Sequence, residues 1–125
     1  MVEKTPVTLE PQRSPCPIAS ALDLLGDKWT LVVVRDMLVG KSRYGAFLES
    51  PEGIPTNILA DRLKRLETAG LVEKRPYRAR PVRHEYVLTP PGEALLPVLQ
   101  ELCRWANAHI PGTWTPPASF MERRL

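Results

Sequence analysis

Residues 55–88 read PTNILADRLKRLETAGLVEKRPYRARPVRHEYVL, and this stretch decides the fold. Pro55 starts a helix whose inner face is Leu59, Leu63 and Leu66 at i, i+4 and i+7, with Ile58 beside them. Gly70 ends that helix, and Leu71 can fold back onto its last turn. The other face shows Thr56, Asn57, Arg62, Lys64, Arg65 and Glu67. Two extended runs follow, Leu71–Arg75 and Val82–Leu88. In the second, Val82, His84, Tyr86 and Leu88 alternate with Arg83, Glu85 and Val87, the period of a half-buried strand. The two runs pair as a hairpin whose tip is Pro76–Pro81.

Charge concentrates in the same stretch. It holds eight Lys/Arg against four Asp/Glu, a net of +4, whereas the rest of the chain has nine against ten. Lys74–His84 contains five bases and no acid, and four of the five are arginine. A local basic run in a near-neutral chain points to a polyanion on one face. The guanidinium fork matches both phosphates and base edges.

Upstream, Cys16-Pro17 opens a first helix with an apolar stripe of Ile18, Ala21, Leu22 and Leu25, closed by Gly26. Asp27 caps a second helix that runs to Gly40, in which Val32-Val33-Val34 compete for strand but the flanking cap and glycine favour helix. Ser42 caps a short third helix carrying Tyr44, Phe47 and Leu48, and Glu49–Gly53 is a turn. Downstream, Thr89-Pro90 starts a last helix running to about His109 and bent at Pro97. Residues 1–14 read as a flexible N-terminal tail, residues 15–110 as the folded domain, and residues 111–125 as a proline-rich C-terminal tail.

The 125 residues, 43% hydrophobic and 25% charged, suit one domain and neither a disordered polyelectrolyte nor a membrane span. With no signal-like apolar core near the start, the expected location is cytoplasmic. The fold class is mainly α with a small β-hairpin (α+β), a winged helix-turn-helix: short helix, turn, amphipathic helix, hairpin. A helix about 10–12 Å across fills a major groove about 12 Å wide. Double-stranded DNA is therefore the expected partner. On the helix, Thr56, Asn57 and Arg62 are the groove-facing candidates, Asn57 for an adenine edge and Arg62 for a guanine edge. Lys64 and Arg65 read either as phosphate contacts or as solubilisers of the helix, and Arg78, Arg80 and Arg83 are the wing contacts. The alternative is a winged helix that meets an acidic protein partner without reading DNA.

The last helix is apolar on more than one side, with Leu95, Leu96, Val98, Leu99, Leu102, Cys103, Trp105 and Ala106. A small domain with such a helix calls for a second chain, and a homodimer would present two recognition helices to a pseudo-palindromic operator.

The chain from Cys16 to His109 resembles the HxlR-type winged helix-turn-helix regulators of bacteria. The matching pieces are Cys16-Pro17, Leu24-Leu25-Gly26-Asp27-Lys28-Trp29-Thr30, Arg35-Asp36, Ile58-Leu59, Arg62-Leu63, Leu66-Glu67 and Gly70-Leu71-Val72. Pro81, Arg83-His84-Glu85-Tyr86, Leu88-Thr89 and Leu95-Leu96-Pro97-Val98-Leu99 continue the match in order. The resemblance implies a DNA-binding transcriptional regulator that dimerises through its first and last helices. The family often has serine where Pro55 stands, which removes a hydroxyl that Thr56 can replace at a phosphate. In some members a cysteine at the position of Cys16 senses oxidants or electrophiles. This makes Cys16 the candidate redox sensor, at a helix N-terminus where a thiol is more reactive. Cys103 reads as a core residue.

No catalytic constellation stands out: there is no serine with a base, no glycine-rich phosphate loop and no HExxH. The two cysteines and two histidines match no common zinc spacing, so no metal and no cofactor are expected. A small-molecule effector pocket between the dimer helices and the winged domain is open to this sequence, but no residue identifies one.

Overall fold

The computed structural model describes Pro6, Val7 and residues 13–125. The N-terminal tail expected over residues 1–14 lies largely outside the described residues. The order of elements is α1 (Pro17–Leu25), α2 (Thr30–Leu38), α3 (Tyr44–Leu48), α4 (Thr56–Ala69), β1 (Val72–Ala79), β2 (Val82–Leu88), α5 (Pro90–Glu93), α6 (Leu96–His109) and α7 (Ala118–Met121). This is a winged helix-turn-helix: a helical layer followed by one two-stranded antiparallel sheet.

The core explains why these segments fold together. Val33, Val34, Phe47, Leu59, Leu63, Leu66 and Leu96 are almost fully buried in one cluster. Burial from several sides overrides the strand preference of the valine run, which stays helical. Asp27 stands in the turn before α2, whose N-cap is Trp29, and its Oδ2 accepts the amides of Trp29 and Thr30 at 3.0 and 3.2 Å, so it anchors the entry to the helix. Gly70 adopts the left-handed conformation with φ +88°, which lets the Leu71 amide bond back to the Leu66 carbonyl at 2.9 Å. That turn reverses the chain from α4 into the hairpin.

Four local expectations are corrected. Ser42 does not cap α3: its carbonyl accepts the Tyr86 amide at 2.7 Å, and Arg43 bridges Glu85, so Ser42-Arg43 serves as an extra edge beside β2. The hairpin tip is shorter than expected, because pairing runs on to Ala79↔Val82 past an irregularity between Pro76 and Arg78. An edge strand tolerates Pro76, whose missing N–H costs no ladder bond there. The last helix is broken rather than bent: α5 ends at Glu93, and Pro97 lies in the first turn of α6, where no intrahelical bond is lost. The stretch expected as a proline-rich tail carries α7 and folds back. The Gln100 side chain donates to the carbonyls of Phe120 and Arg123 at 3.0 and 2.8 Å, and Arg123 donates to the Leu38 carbonyl.

Gly92 lets α5 lie against the start of the hairpin, since a Cβ there would stand 2.2 Å from the Leu71 carbonyl oxygen.

Candidate nucleic-acid interface

The buried side of α4 is Leu59, Leu63, Leu66 and Ala69. Geometry then fixes the opposite ridge as Asn57, Asp61, Lys64 and Thr68, at i, i+4, i+7 and i+11, and all four are exposed with Thr56 and Ala60 beside them. Of the expected helix residues, Thr56, Asn57 and Lys64 therefore stand on the accessible face, and Arg65 is half-buried on its flank. The Tyr44 hydroxyl donates to the Thr56 carbonyl at 2.6 Å and so ties α3 to the start of α4.

Arg62 departs from the expectation. Its Nε donates to Asp27 Oδ2 at 2.8 Å, it also pairs with Asp61, and its side chain is only 17% exposed. The cause is helical phase. Leu59, Arg62, Leu66 and Ala69 recur at i, i+3, i+7 and i+10, which puts Arg62 on the shoulder of the buried face rather than on the outer ridge. Its guanidinium joins α4 to the entry of α2. Partial burial pushes the Asp27 carboxyl up, but hydrogen bonds from Arg62, Thr30 and the Trp29 amide outweigh it. They hold the group well below the usual carboxylate range. Asp27 in turn raises Arg62.

The turn between α3 and α4 is anchored by a second polar cluster. Asp36 is buried and accepts Arg35 at 2.8 Å and the Ser50 hydroxyl, while Lys41 donates to Ser50 at 2.7 Å. Arg35 also grips Glu52 with two hydrogen bonds of 2.7 and 2.8 Å. That contact holds the Glu52 carboxyl down at about 2 against the effect of burial.

On the wing, Arg78, Arg80 and Arg83 are exposed and make no ion pair among the described residues. Arg75 is different, since it is held by Glu73 at 2.7 Å. The register sets Arg78 opposite Arg83, so like charges face each other across the strands. Such a pair costs energy by itself and is relieved by an anion. The structure thus brings Thr56, Asn57 and Lys64 together on one helix, and the three wing arginines together on the hairpin.

Sequence reasoning missed Arg43 and Tyr77. The Arg43 guanidinium carbon lies 3.8 Å from the Tyr77 ring centroid. Residues 34 positions apart in sequence give no local signal of such a contact. It also missed Asp61 and Thr68 on the outer ridge of α4, although extending the spacing from Asn57 and Lys64 would have found them.

Cys16 is exposed at the N-cap of α1, and its amide is bonded to the Ser14 hydroxyl at 3.1 Å. Cys103, expected in the core, is half-buried and lines a cleft of about 730 Å³ between α2, α6 and the C-terminal segment. Val32, Leu99, Trp114 and Phe120 are among its apolar walls, and its two charged residues, Arg35 and Glu52, neutralise each other. Among the described residues there is no cluster of His, Cys, Asp or Glu that could hold a metal ion. No described helix is long and apolar enough to cross a membrane.

The expected apolar stripe of α1 turns outward. Ile18, Ala21 and Leu22 are exposed, and the helix packs on the core through Leu24 with Leu25 beside it. On α6, Val98, Leu102 and Trp105 form a second exposed apolar stripe.

Comparison with known proteins agrees with this geometry. The profile of the HxlR-like helix-turn-helix matches residues 24–113. The HTH-type transcriptional regulator Rv3095 of Mycobacterium tuberculosis, itself uncharacterized, is 36% identical over 100 residues, which are 80% of this chain and 63% of that protein. The chain thus spans less than two thirds of the length of the mycobacterial relatives it matches. The reduced form of the transcriptional regulator YodB from Bacillus subtilis superposes with a TM-score of 0.66 at 33% identity, over 81% of this chain and all of that one. YodB is also known in a diamide-treated form. The redox regulator HypR in its reduced form gives a TM-score of 0.70 at 29% identity, over 76% of this chain and 94% of that one.

Proposed function

The chain belongs to the HxlR-like helix-turn-helix family, and on that premise we propose that it is a transcriptional regulator that binds duplex DNA as a homodimer. The observation that carries the reading is the pairing of a polar ridge on α4 with three arginines, on the wing that follows it, that make no ion pair among the described residues. Thr56 and Asn57 lie in the first turn of α4, the part of a recognition helix that reaches base edges. Asn57 suits an adenine edge. Lys64 and Arg65 lie further along, where a helix leaves the groove and passes the phosphates. Arg78, Arg80 and Arg83 supply sequence-independent phosphate contacts. Arg62 acts at one remove, by fixing the pose of α4 through Asp27.

The second copy is called for by the two outward apolar stripes, Ile18 and Leu22 on α1 and Val98, Leu102 and Trp105 on α6. A two-fold dimer sets the two recognition helices about one helical turn apart, roughly 34 Å. Cys16, exposed at the start of α1, sits beside the first of these stripes. Modification of its thiol is the route by which an oxidant or electrophile would alter the dimer, a reading supported by the likeness to the redox regulator HypR and to YodB in its reduced and diamide-treated forms.

The test is binding to a mixed-sequence duplex at salt concentrations between about 50 and 200 mM. A regulator making several phosphate contacts loses affinity steeply over this range, and Arg80→Ala weakens all sequences by a similar factor. A flat response would replace DNA with an acidic protein as the partner. For the thiol, diamide treatment should change operator affinity in the native protein and leave Cys16→Ser unchanged.

A further inference from the structure

Arg43 lies outside both segments that carry the DNA-binding reading, yet its surroundings are those of an anion contact. We infer that Arg43, whose guanidinium lies over the Tyr77 ring, is a further phosphate-binding residue that extends the basic face of the wing toward the recognition helix. The inference rests on the DNA-binding reading above and adds a contact to it.

Placement comes first. The Arg43↔Glu85 bridge and the Tyr86 amide bond to Ser42 make residues 42–43 an edge beside β2. Glu85 is also opposite Arg75 on β1. Residues directly opposite share a sheet face, and residues two apart on a strand do too. One face therefore carries Arg43, Arg75 and Arg83 with two carboxylates, Glu85 and the Glu73 that holds Arg75, and the Arg43 contact brings Tyr77 to the same side. Next to Arg43 in sequence, Tyr44 makes the contact that docks the start of α4. Arg43 thus stands between the wing and the reading helix.

Charge and geometry come second. Arg75 is neutralised by Glu73, whereas Arg43 and Arg83 make no ion pair among the described residues. The Arg43 guanidinium carbon is 3.8 Å from the Tyr77 ring centroid. Stacking uses the face of the guanidinium and leaves its in-plane N–H groups free for two oxygens of one phosphate. A side chain already oriented loses less freedom on binding than the free arginines of the wing. The contact is with the sugar-phosphate backbone, so it is the same for every sequence.

The experiment uses the full chain and a mixed-sequence duplex, with affinity followed against salt. Arg43→Ala should lower the log–log slope by about 0.9, one phosphate's share, equally on all sequences. Arg43→Lys keeps the charge and the slope but loses the stacked fork, and should bind about threefold or more weakly. Tyr77→Ala should weaken binding at unchanged slope, and Tyr77→Phe should match the native protein. The edge pairing of residue 43 is made by its backbone and survives these changes. Should Arg43→Ala melt early, Arg43→Gln, which keeps the aliphatic stem, repeats the test. An unchanged slope in the folded Arg43 variant overturns the inference while the wild-type slope leaves the DNA reading standing. So does a Tyr77→Phe variant as weak as Tyr77→Ala. A flat salt response in the wild type overturns both.

Discussion

Removing Asp27 and Arg62 singly and together tests how the recognition helix is held. Asp27 accepts four hydrogen bonds: from the amides of Trp29 and Thr30, from the Thr30 hydroxyl, and from Arg62 Nε at 2.8 Å. The side chains of Arg62 and Asp27 are 17% and 23% exposed. An exposed ion pair contributes about 0–1 kcal/mol, and breaking a fully buried one costs about 3–5 kcal/mol. This pair lies between those limits and Arg62 retains Asp61, so Arg62→Ala should cost about 2 kcal/mol. Asp27→Ala also removes the acceptor for the Trp29 and Thr30 amides at the entry of α2 and should cost about 3 kcal/mol. The double variant should cost little more than Asp27→Ala, leaving a coupling of about 1.5 kcal/mol.

The assay is urea denaturation of all four proteins at one fixed concentration, because a dimer's stability depends on concentration. The same variants then bind DNA. On the proposed role of Arg62 as a strut that positions α4 through Asp27, Arg62→Ala should lower affinity for selected and random duplexes by similar factors. Coupling below about 0.5 kcal/mol would show that the two side chains do not meet. Loss of discrimination at a single base pair would restore Arg62 as a direct reader. The acid dependence has a definite sign. A carboxyl whose folded pKa is depressed contributes stability above its ordinary value near 4, and that contribution is lost as pH falls below it. The coupling should therefore be present at pH 7 and should fade in acid.

Three further outcomes follow from other contacts. Glu52 is held at about 2 by Arg35, so Glu52→Gln should lose stability at pH 7 and flatten the acid limb between its ordinary value of 4.5 and about 2. The effect should be no more than about 1 kcal/mol, because Glu52 is partly solvated, and urea curves at pH 7 and pH 3 would measure it. Gly92→Ala should destabilise by about 1–3 kcal/mol, since the new Cβ meets the Leu71 carbonyl and backbone must move; a melt within a degree of the native protein would contradict the close approach. Ile18→Glu on α1, or Trp105→Ala on α6, should shift the proposed dimer toward monomer in sedimentation while far-UV circular dichroism stays native; unchanged association in both would remove these stripes from the proposed interface.

Most of the architecture was legible because the signals were local. The leucine spacing of α4, the left-handed glycine after it, and the proline and aspartate at the starts of α1 and α2 each act within a few residues; β2 forms where expected, but its burial does not alternate and Val82 is exposed. The elements misjudged were those whose partners lie far along the chain. Ser42 looked like a cap and became a sheet edge because Tyr86 needed an acceptor. The C-terminal prolines looked like a tail, but Gln100 and Leu38 supply partners that hold α7 in place.

At the site the division is the same. Periodicity and charge are properties of neighbours, so the succession of a polar helix flank and an arginine-rich hairpin is written in the residues alone. Which arginines stay free was settled by folding. Arg62 met Asp27 across 35 positions and Arg43 met Tyr77 across 34, whereas Arg78, Arg80 and Arg83 met no carboxylate among the described residues. A guanidinium can serve as a strut, a stacked clamp or a free phosphate ligand, and which of these it becomes depends on what the folded chain brings within hydrogen-bonding or stacking distance.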